Sequence, residues 1–352
     1  MVRFWYTMSD VREFKNRKNP SISTDRGVTV RPEKAPVIPA VKSFVTHYST
    51  WFLLAGCYLA FGAAFPVLLT TESFWNMLVQ GTTVVLLSIG MTFVMLTGEI
   101  DLSVASVAAL SALFGLYCIM ELKLPGYMAL LLILLLGAVI GAINGLLVTK
   151  VRIPSLVATV TTWWMISGIV LFWTQGRSMT GYDDYWTYIG MGTIGPMRVV
   201  LIFLVIIVAI AVIIAKRTVT GLRIYLVGGN PEAAKNMGIS VEKIKTIAFM
   251  LSGIFAALAG YTLSSRLGFV SPVFATEWLM PAIAAPVISG VSLRGGRGDV
   301  INVVAGAYLV QLIVLIVRIG GLGGWFYQLA QGLLIFIAVI VDTIRRRIMK
   351  LE

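Results

Sequence analysis

The stretch Thr97-Gly98-Glu99-Ile100-Asp101-Leu102-Ser103 sets two carboxylates and two hydroxyls between long apolar runs. Ionisable groups in such surroundings are costly to keep, and they mark routes for ions, protons or polar solutes. Glu99, Asp101 and Ser103 are therefore candidate pathway residues. The simpler role for Asp101 or Ser103 is to cap the helix that follows, and both roles can hold at once. The rest of the chain narrows the chemistry. His47 is its one histidine, so neither a histidine metal cluster nor a histidine proton relay can form. No nucleophile–base pair and no metal-ligand spacing occurs, so neither a catalytic residue nor a metal site is expected. No Gly-x-x-x-x-Gly-Lys-Ser/Thr phosphate loop occurs either; Gly295-Gly296-Arg297-Gly298 lacks the lysine–hydroxyl pair. Cys57 and Cys118 sit inside apolar runs and read as buried free thiols.

The elements that must position these residues are membrane helices. Of 352 residues, 58% are apolar and 12% charged, and the mean hydropathy is +0.90. A soluble domain keeps about a quarter of its residues charged, so lipid must be the solvent here. Apolar runs near 51–70, 75–97, 104–120, 127–149, 155–175, 198–215, 246–265, 278–291, 300–318 and 325–342 predict about ten transmembrane helices. The fold class is all-α, a polytopic integral membrane protein with some short or broken helices. Only helices or closed barrels satisfy the backbone in lipid, and the period-two pattern of a barrel is missing.

The net charge of +12 does not point to nucleic acid, because the basic residues lie between apolar runs and at the two termini. Lysine and arginine crowd the connections that are inner if the N-terminus is cytoplasmic: Lys150, Arg152, Lys216, Arg217, Arg223, Lys235, Lys243, Lys245, Arg294 and Arg297. The bias places both termini in the cytoplasm. The organisation read is a cytoplasmic segment 1–50 without a cleaved signal peptide, a membrane domain 51–342, and a basic tail 343–352. The run 278–291 is short and carries Pro281 and Pro286, which break helical bonds. Gly137, Gly141 and Gly145 form a small-residue stripe, as do Gly253, Ala256, Ala257 and Gly260; such stripes mark close helix–helix contact, or else a substrate groove.

The inner loop 216–246 holds a short, well-specified helix. Gly228-Gly229 permits a turn with unusual backbone angles. Asn230 is a good N-cap, Pro231 suits the first helical position, Glu232 complements the dipole, and Gly238 ends the helix. A helix of about two turns is marginal alone in water. Its small and apolar residues Ala233, Ala234 and Met237 invite a protein partner; packing on the chain's own inner surface is the other reading.

Glu232-Ala233-Ala234, three further residues and Gly238 match the core of the loop by which ABC importer permeases engage their ATPases. Along most of 75–342 the chain resembles the ribose/xylose/arabinose/galactose-type permease family of sugar importers. The resemblance rests on Gly90-Met91-Thr92 and 98–106, on Asn144-Gly145, Ile153-Pro154 and 228–234, and on the run 288–298. It implies a permease in the bacterial cytoplasmic (inner) membrane that pairs with a second permease copy or paralogue. Two cytoplasmic ABC ATPase domains would bind the ATP and magnesium, this chain holding no cofactor. An extracytoplasmic solute-binding protein would deliver a sugar or sugar-like solute. The helix at 231–237 would be the coupling helix, with Gly228, Gly229, Asn230, Pro231, Glu232, Ala233, Ala234 and Gly238 as the ATPase-coupling residues.

A path for a neutral, hydroxyl-rich solute needs aromatic faces and a few hydrogen-bonding groups. That adds Trp163, Trp164 and Trp173 to Asp101, although tryptophan at a span end also serves as an interfacial anchor. The chain departs from the family pattern at Glu99 and Ala105, where glycine is usual, at Trp163-Trp164, and at Pro286. The alternatives are a branched-chain amino-acid-type ABC permease and a stand-alone secondary transporter, for which only Glu99 and Asp101 are available as coupling carboxylates. The outer loop 176–198, with Tyr182, Asp183, Asp184, Tyr185 and Trp186, reads either as a seat for the binding protein or as a plain solvated loop.

Overall fold

A computed structural model describes residues 48–340, apart from Ala275 and scattered positions between 322 and 339. The segment 1–47 and the tail 341–352 lie outside the described residues, and with them His47 and nearly all of the predicted N-terminal and basic-tail regions.

The apolar runs become helices within a few residues of the expected bounds. Helix α1 (Ser49–Ala64) is shorter than the run 51–70, because Pro66 cannot continue it; a 3₁₀ turn, Pro66–Leu69, follows. Helix α2 (Thr71–Leu96) starts where the Thr70 side chain accepts from the Ser73 N–H and Glu72 meets the helix dipole. Gly98, with φ of +81°, turns the chain back after it. Then come α3 (Val104–Met120), α4 (Gly126–Thr149) and α5 (Ser155–Thr174). Outside the long helices lie β1 (Met179–Thr180), α6 (Asp184–Met191), β2 (Thr193–Ile194) and β3 (Met197–Arg198). Helix α7 (Val199–Arg217) leads to α8 (Val219–Gly229) and α9 (Pro231–Asn236). Helix α10 (Val241–Leu267) stops at the left-handed Gly268 and is followed by β4 (Phe269–Val270), α11 (Leu279–Ile288) and α12 (Val300–Ile319). Strand β1 pairs antiparallel with β4, and β2 with β3. Beyond α12, Trp325, Phe326, Leu333, Phe336 and Ile340 are helical; the rest of the predicted last span lies partly outside the described residues.

Six of these helices, α2, α4, α5, α7, α10 and α12, are long and apolar enough to cross a membrane. Helices α2, α3 and α10 are buried along most of their length, while α4, α5 and α7 expose Leu131, Leu135, Phe172, Ile206 and Ile213. Large apolar side chains outside and a packed interior are what lipid as solvent selects, so the chain is a multi-pass membrane protein. Helix α11 is the exception in length. Ten residues rise about 15 Å, half of a hydrocarbon core about 30 Å thick.

The glycine stripes bind α4 to α10. A Cβ on Gly137 would lie 2.3 Å from the Gly253 carbonyl oxygen, and one on Gly141 would lie 2.1 Å from that of Phe249. Such distances exclude any side chain, so the two backbones touch, as small-residue faces allow. Where α4 ends and α10 begins, Lys150 and Glu242 pair at 3.1 Å, with 65% and 52% of their side chains exposed. An exposed pair adds little beside such packing: Lys150→Ala is expected to change stability by less than about 0.5 kcal/mol, as read from the thermal midpoint of the purified chain.

Two loops carry more structure than expected. The loop 216–246 contains α8, begun where Thr218 Oγ1 accepts from the Gly221 N–H at 3.1 Å. The plain-loop reading of 176–198 is also corrected. Asp183 caps α6 and accepts from the Gly126 N–H at 2.9 Å. Trp186 is fully buried, stacked on Tyr182 at 5.1 Å and meeting Tyr261 edge-on at 4.6 Å. Its Nε1–H donates to Ser264 Oγ at 3.1 Å, and Gly115 leaves the space its ring occupies.

Candidate functional site

Asp101 lies in the turn between α2 and α3 and is fully buried. Its Oδ1 accepts from the Ser103 N–H at 3.0 Å and from Ser103 Oγ at 2.6 Å, and its Oδ2 accepts from Ser252 Oγ on α10 at 2.8 Å. Ser103 Oγ in turn accepts from Asn144 Nδ2 on α4 at 2.9 Å, and Asn144 Oδ1 accepts from Thr162 Oγ1 on α5 at 2.6 Å. The backbone of the turn is held too. Leu102 N donates to Thr159 Oγ1 at 3.0 Å, and Ile100 N to Ser155 Oγ at 3.4 Å.

A carboxylate out of water requires this many donors. The capping reading holds only in altered form. No side chain caps α3; Asp101 instead closes a local turn on Ser103. The resulting cluster of hydroxyls, one amide and one carboxylate ties the α2–α3 turn to three helices, α4, α5 and α10, and it can fix the turn or hydrogen-bond a polar solute.

Glu99 stands at the edge of this cluster and pairs with Lys245 of α10 at 2.5 Å; 17% of the Glu99 side chain and 19% of the Lys245 side chain are exposed. Trp163 and Trp164 lie outside the network. They stack on one another at 5.4 Å on α5, with Trp163 half-buried against the core and Trp164 68% exposed. Trp173 meets Tyr117 edge-on at 5.2 Å.

Where α2 and α8 end, three glycine segments converge. Gly228 is buried in the last turn of α8, where a Cβ would lie 1.7 Å from the Leu96 carbonyl oxygen and 2.6 Å from Gly296 N. Gly296 N donates to that same Leu96 carbonyl at 2.9 Å. Neither Gly228 nor Gly229 has a positive φ; Gly98, Gly295 and Gly296 do. The expectation of unusual backbone angles at Gly228-Gly229 is thus corrected: they are helical, and Gly228 is small so that two other segments can approach it. Beside this clasp the Tyr225 phenol donates to the Gly298 carbonyl at 3.0 Å. Burial and the Asp299 carboxylate push its pKa up to about 12, so it stays a donor at neutral pH. Lys216 pairs with Asp299 at 2.8 Å.

Helix α9 hangs between this clasp and α10. Asn230 Oδ1 accepts from the Ala233 N–H at 3.0 Å, Pro231 opens the helix, and Gly238, at φ +77°, reverses the chain after it. Glu232, Ala233, Lys235 and Met237 are exposed. Ala234 is not: it is fully buried and joins the chain's own core. The helix is therefore seated on the protein by one face and free on the other, where each reading had assigned it one role.

Sequence reasoning missed Ser252, Lys245, Ser155 and Thr159 as partners of the turn, Thr162 as the partner of Asn144, and the convergence of Gly228 with Gly296. The available signal was polar residues inside spans, Ser252 within α10 and Thr159 and Thr162 within α5, which membrane helices keep for interhelical hydrogen bonds. Among the described residues no three of His, Cys, Asp or Glu gather as a metal site.

Comparison with known proteins gives the same class. Residues 73–339 match the family model described as branched-chain amino acid transport system / permease component. The chain is 34% identical over 282 residues to the ribose import permease protein of Haemophilus influenzae, covering 79% of this chain and 87% of that one. It is 32% identical over 283 residues to the ribose import permease protein of Escherichia coli K12, covering 79% and 88%. It is also 34% identical over 302 residues to the autoinducer 2 import system permease protein of Salmonella paratyphi B, covering 84% and 85%. No solved structure matches. By the span of the family match and the coverage of these relatives, the chain belongs to this permease-component family and is a non-catalytic, membrane-embedded permease subunit of an ABC importer.

Proposed function

We propose that this permease carries a sugar or sugar-like solute across the bacterial inner membrane, driven by ATP hydrolysis on partner subunits. The names of the relatives support a sugar-like solute over a branched-chain amino acid. The buried hydroxyl–amide cluster around Asp101 supports it too, since it offers hydrogen bonds without a row of charges. In this reading the chain crosses the membrane about ten times with both termini in the cytoplasm, flanked by the segment 1–50 and the tail 343–352. It works with a second permease copy or paralogue, two cytoplasmic ABC ATPase domains that bind ATP and magnesium, and an extracytoplasmic binding protein. Glu99, Asp101, Ser103, Trp163 and Trp164 belong to the pathway.

The observation that carries this reading is α9. It is capped at both ends, anchored by Ala234, and presents Glu232, Ala233 and Met237 outward from the inner loop 216–246. A six-residue helix with a stable seat and an exposed small-residue face is suited to a groove in another protein, since isolated helices under about 12 residues do not persist. Gly228, Gly229, Asn230, Pro231 and Gly238 shape it, and Glu232, Ala233 and Met237 meet the ATPase. Ala233→Asp, at an exposed site, is expected to leave the permease folded and to abolish co-purification of its ATPase. Retention of the ATPase with unchanged hydrolysis would refute the assignment.

A further inference from the structure

We propose that Lys245 is a positioning residue for transport, which through Glu99 passes displacement of α9 to the Asp101 turn. This rests on α9 being the ATPase-coupling helix.

Four residues, 237–240, separate α9 from α10, and the short link is itself tied, the Ile239 N–H donating to the Ala234 carbonyl at 3.0 Å. A push on α9 therefore arrives first at the start of α10. Lys245 and Ser252 stand seven residues apart on that helix, which is two turns and about 10 Å along one face. Both reach the same turn, Lys245 at Glu99 and Ser252 at Asp101.

A third side-chain hold on the turn, Asn144 to Ser103, comes from α4, beside the two backbone holds from Ser155 and Thr159 of α5. Helix α4 is joined to α10 backbone against backbone at Gly137, Gly141 and Gly253. The α4–α10 pair thus grips the turn at Glu99, Asp101 and Ser103 as one body. Of these holds, Glu99–Lys245 lies nearest to α9 in the chain. It is also the one built from two full charges, with about four-fifths of each side chain out of water. Screening is weak there, and removing one partner leaves the other charge buried alone.

The test uses the full complex of permease, ATPase and binding protein in proteoliposomes, with labelled ribose as the probe. ATP hydrolysis and uptake are measured together. Glu99→Gln and Lys245→Gln are each expected to lower ribose moved per ATP hydrolysed about fivefold or more, the size of an ordinary inter-site coupling. The ATPase should remain bound in both. Glu99→Lys combined with Lys245→Glu should restore most of the ratio.

A merely structural pair would lower the yield of complex and leave uptake per ATP unchanged, which would overturn the proposal. So would a reversed pair that behaves as badly as the single variants. Ala233→Asp, measured alongside, separates the two ideas. If it still assembles and couples, the reading of α9 falls and this proposal with it. If it loses the ATPase while the Glu99 and Lys245 variants keep the normal ratio, only the role of Lys245 is refuted.

Discussion

Asp101→Ala is expected to yield little folded permease and no measurable uptake. The substitution removes the acceptor for Ser103 N–H, Ser103 Oγ and Ser252 Oγ, all in the interior. A buried donor left unpaired costs about 1–3 kcal/mol, and here three are left at once. Total stabilities are about 5–15 kcal/mol, so the loss is a large share of what holds the chain together. Asp101→Asn keeps the shape and one carbonyl acceptor and should fold. The two are compared by thermal unfolding of the detergent-purified chain and by uptake. A folded Asp101→Asn chain that does not transport would assign Asp101 to the pathway itself. An Asp101→Ala chain as stable as the parent would show that the hydrogen-bonded turn is not structural.

The second large effect is expected at Gly228. Alanine there places a methyl 1.7 Å from the Leu96 carbonyl oxygen, and that neighbour is backbone, which cannot rotate away. Overpacking of a tight contact costs about 1–3 kcal/mol and occasionally more, and this site lies at the upper end. Gly229 is its control. A Cβ on Gly229 meets nothing within 4 Å, and the residue is helical. Gly229→Ala should therefore be neutral or stabilising by about 0.5–1 kcal/mol. Thermal midpoints that fall sharply for Gly228→Ala and hold for Gly229→Ala would establish the clasp; equal shifts would dismiss it.

These adjacent glycines also show where reading the sequence stops. Gly228-Gly229 looks like a turn because glycine is the usual residue for positive φ. The real demand on Gly228 comes from Leu96 and Gly296, which are distant in the chain and close only after folding. Helix α8 was hidden for a related reason. Val219-Thr220-Gly221-Leu222-Arg223 is too short and mixed to read as a span, and it becomes a helix through Thr218 and the burial of Gly221, Ile224 and Val227.

By contrast, the long helices were legible, because lipid demands an unbroken apolar run and punishes anything else. The cap of α9 was legible because Asn230, Pro231 and Gly238 act locally. Asp101 stood out as a carboxylate in apolar sequence, but its partner Ser252 did not. One serine in a membrane helix carries no sign of which neighbour it faces until α10 packs on α2, α3 and α4. The burial of Trp186 was equally invisible, since it depends on the gap left by Gly115.

The most direct test of the account is uptake by proteoliposomes holding the assembled complex, with labelled ribose and labelled leucine offered separately, and with ATP or a non-hydrolysable analogue inside the ATPase-facing compartment. A sugar importer driven by its ATPase moves ribose only with hydrolysable ATP and does not move leucine. Leucine uptake under the same conditions would assign the chain to amino-acid import, and solute movement independent of ATP would contradict the ABC mechanism.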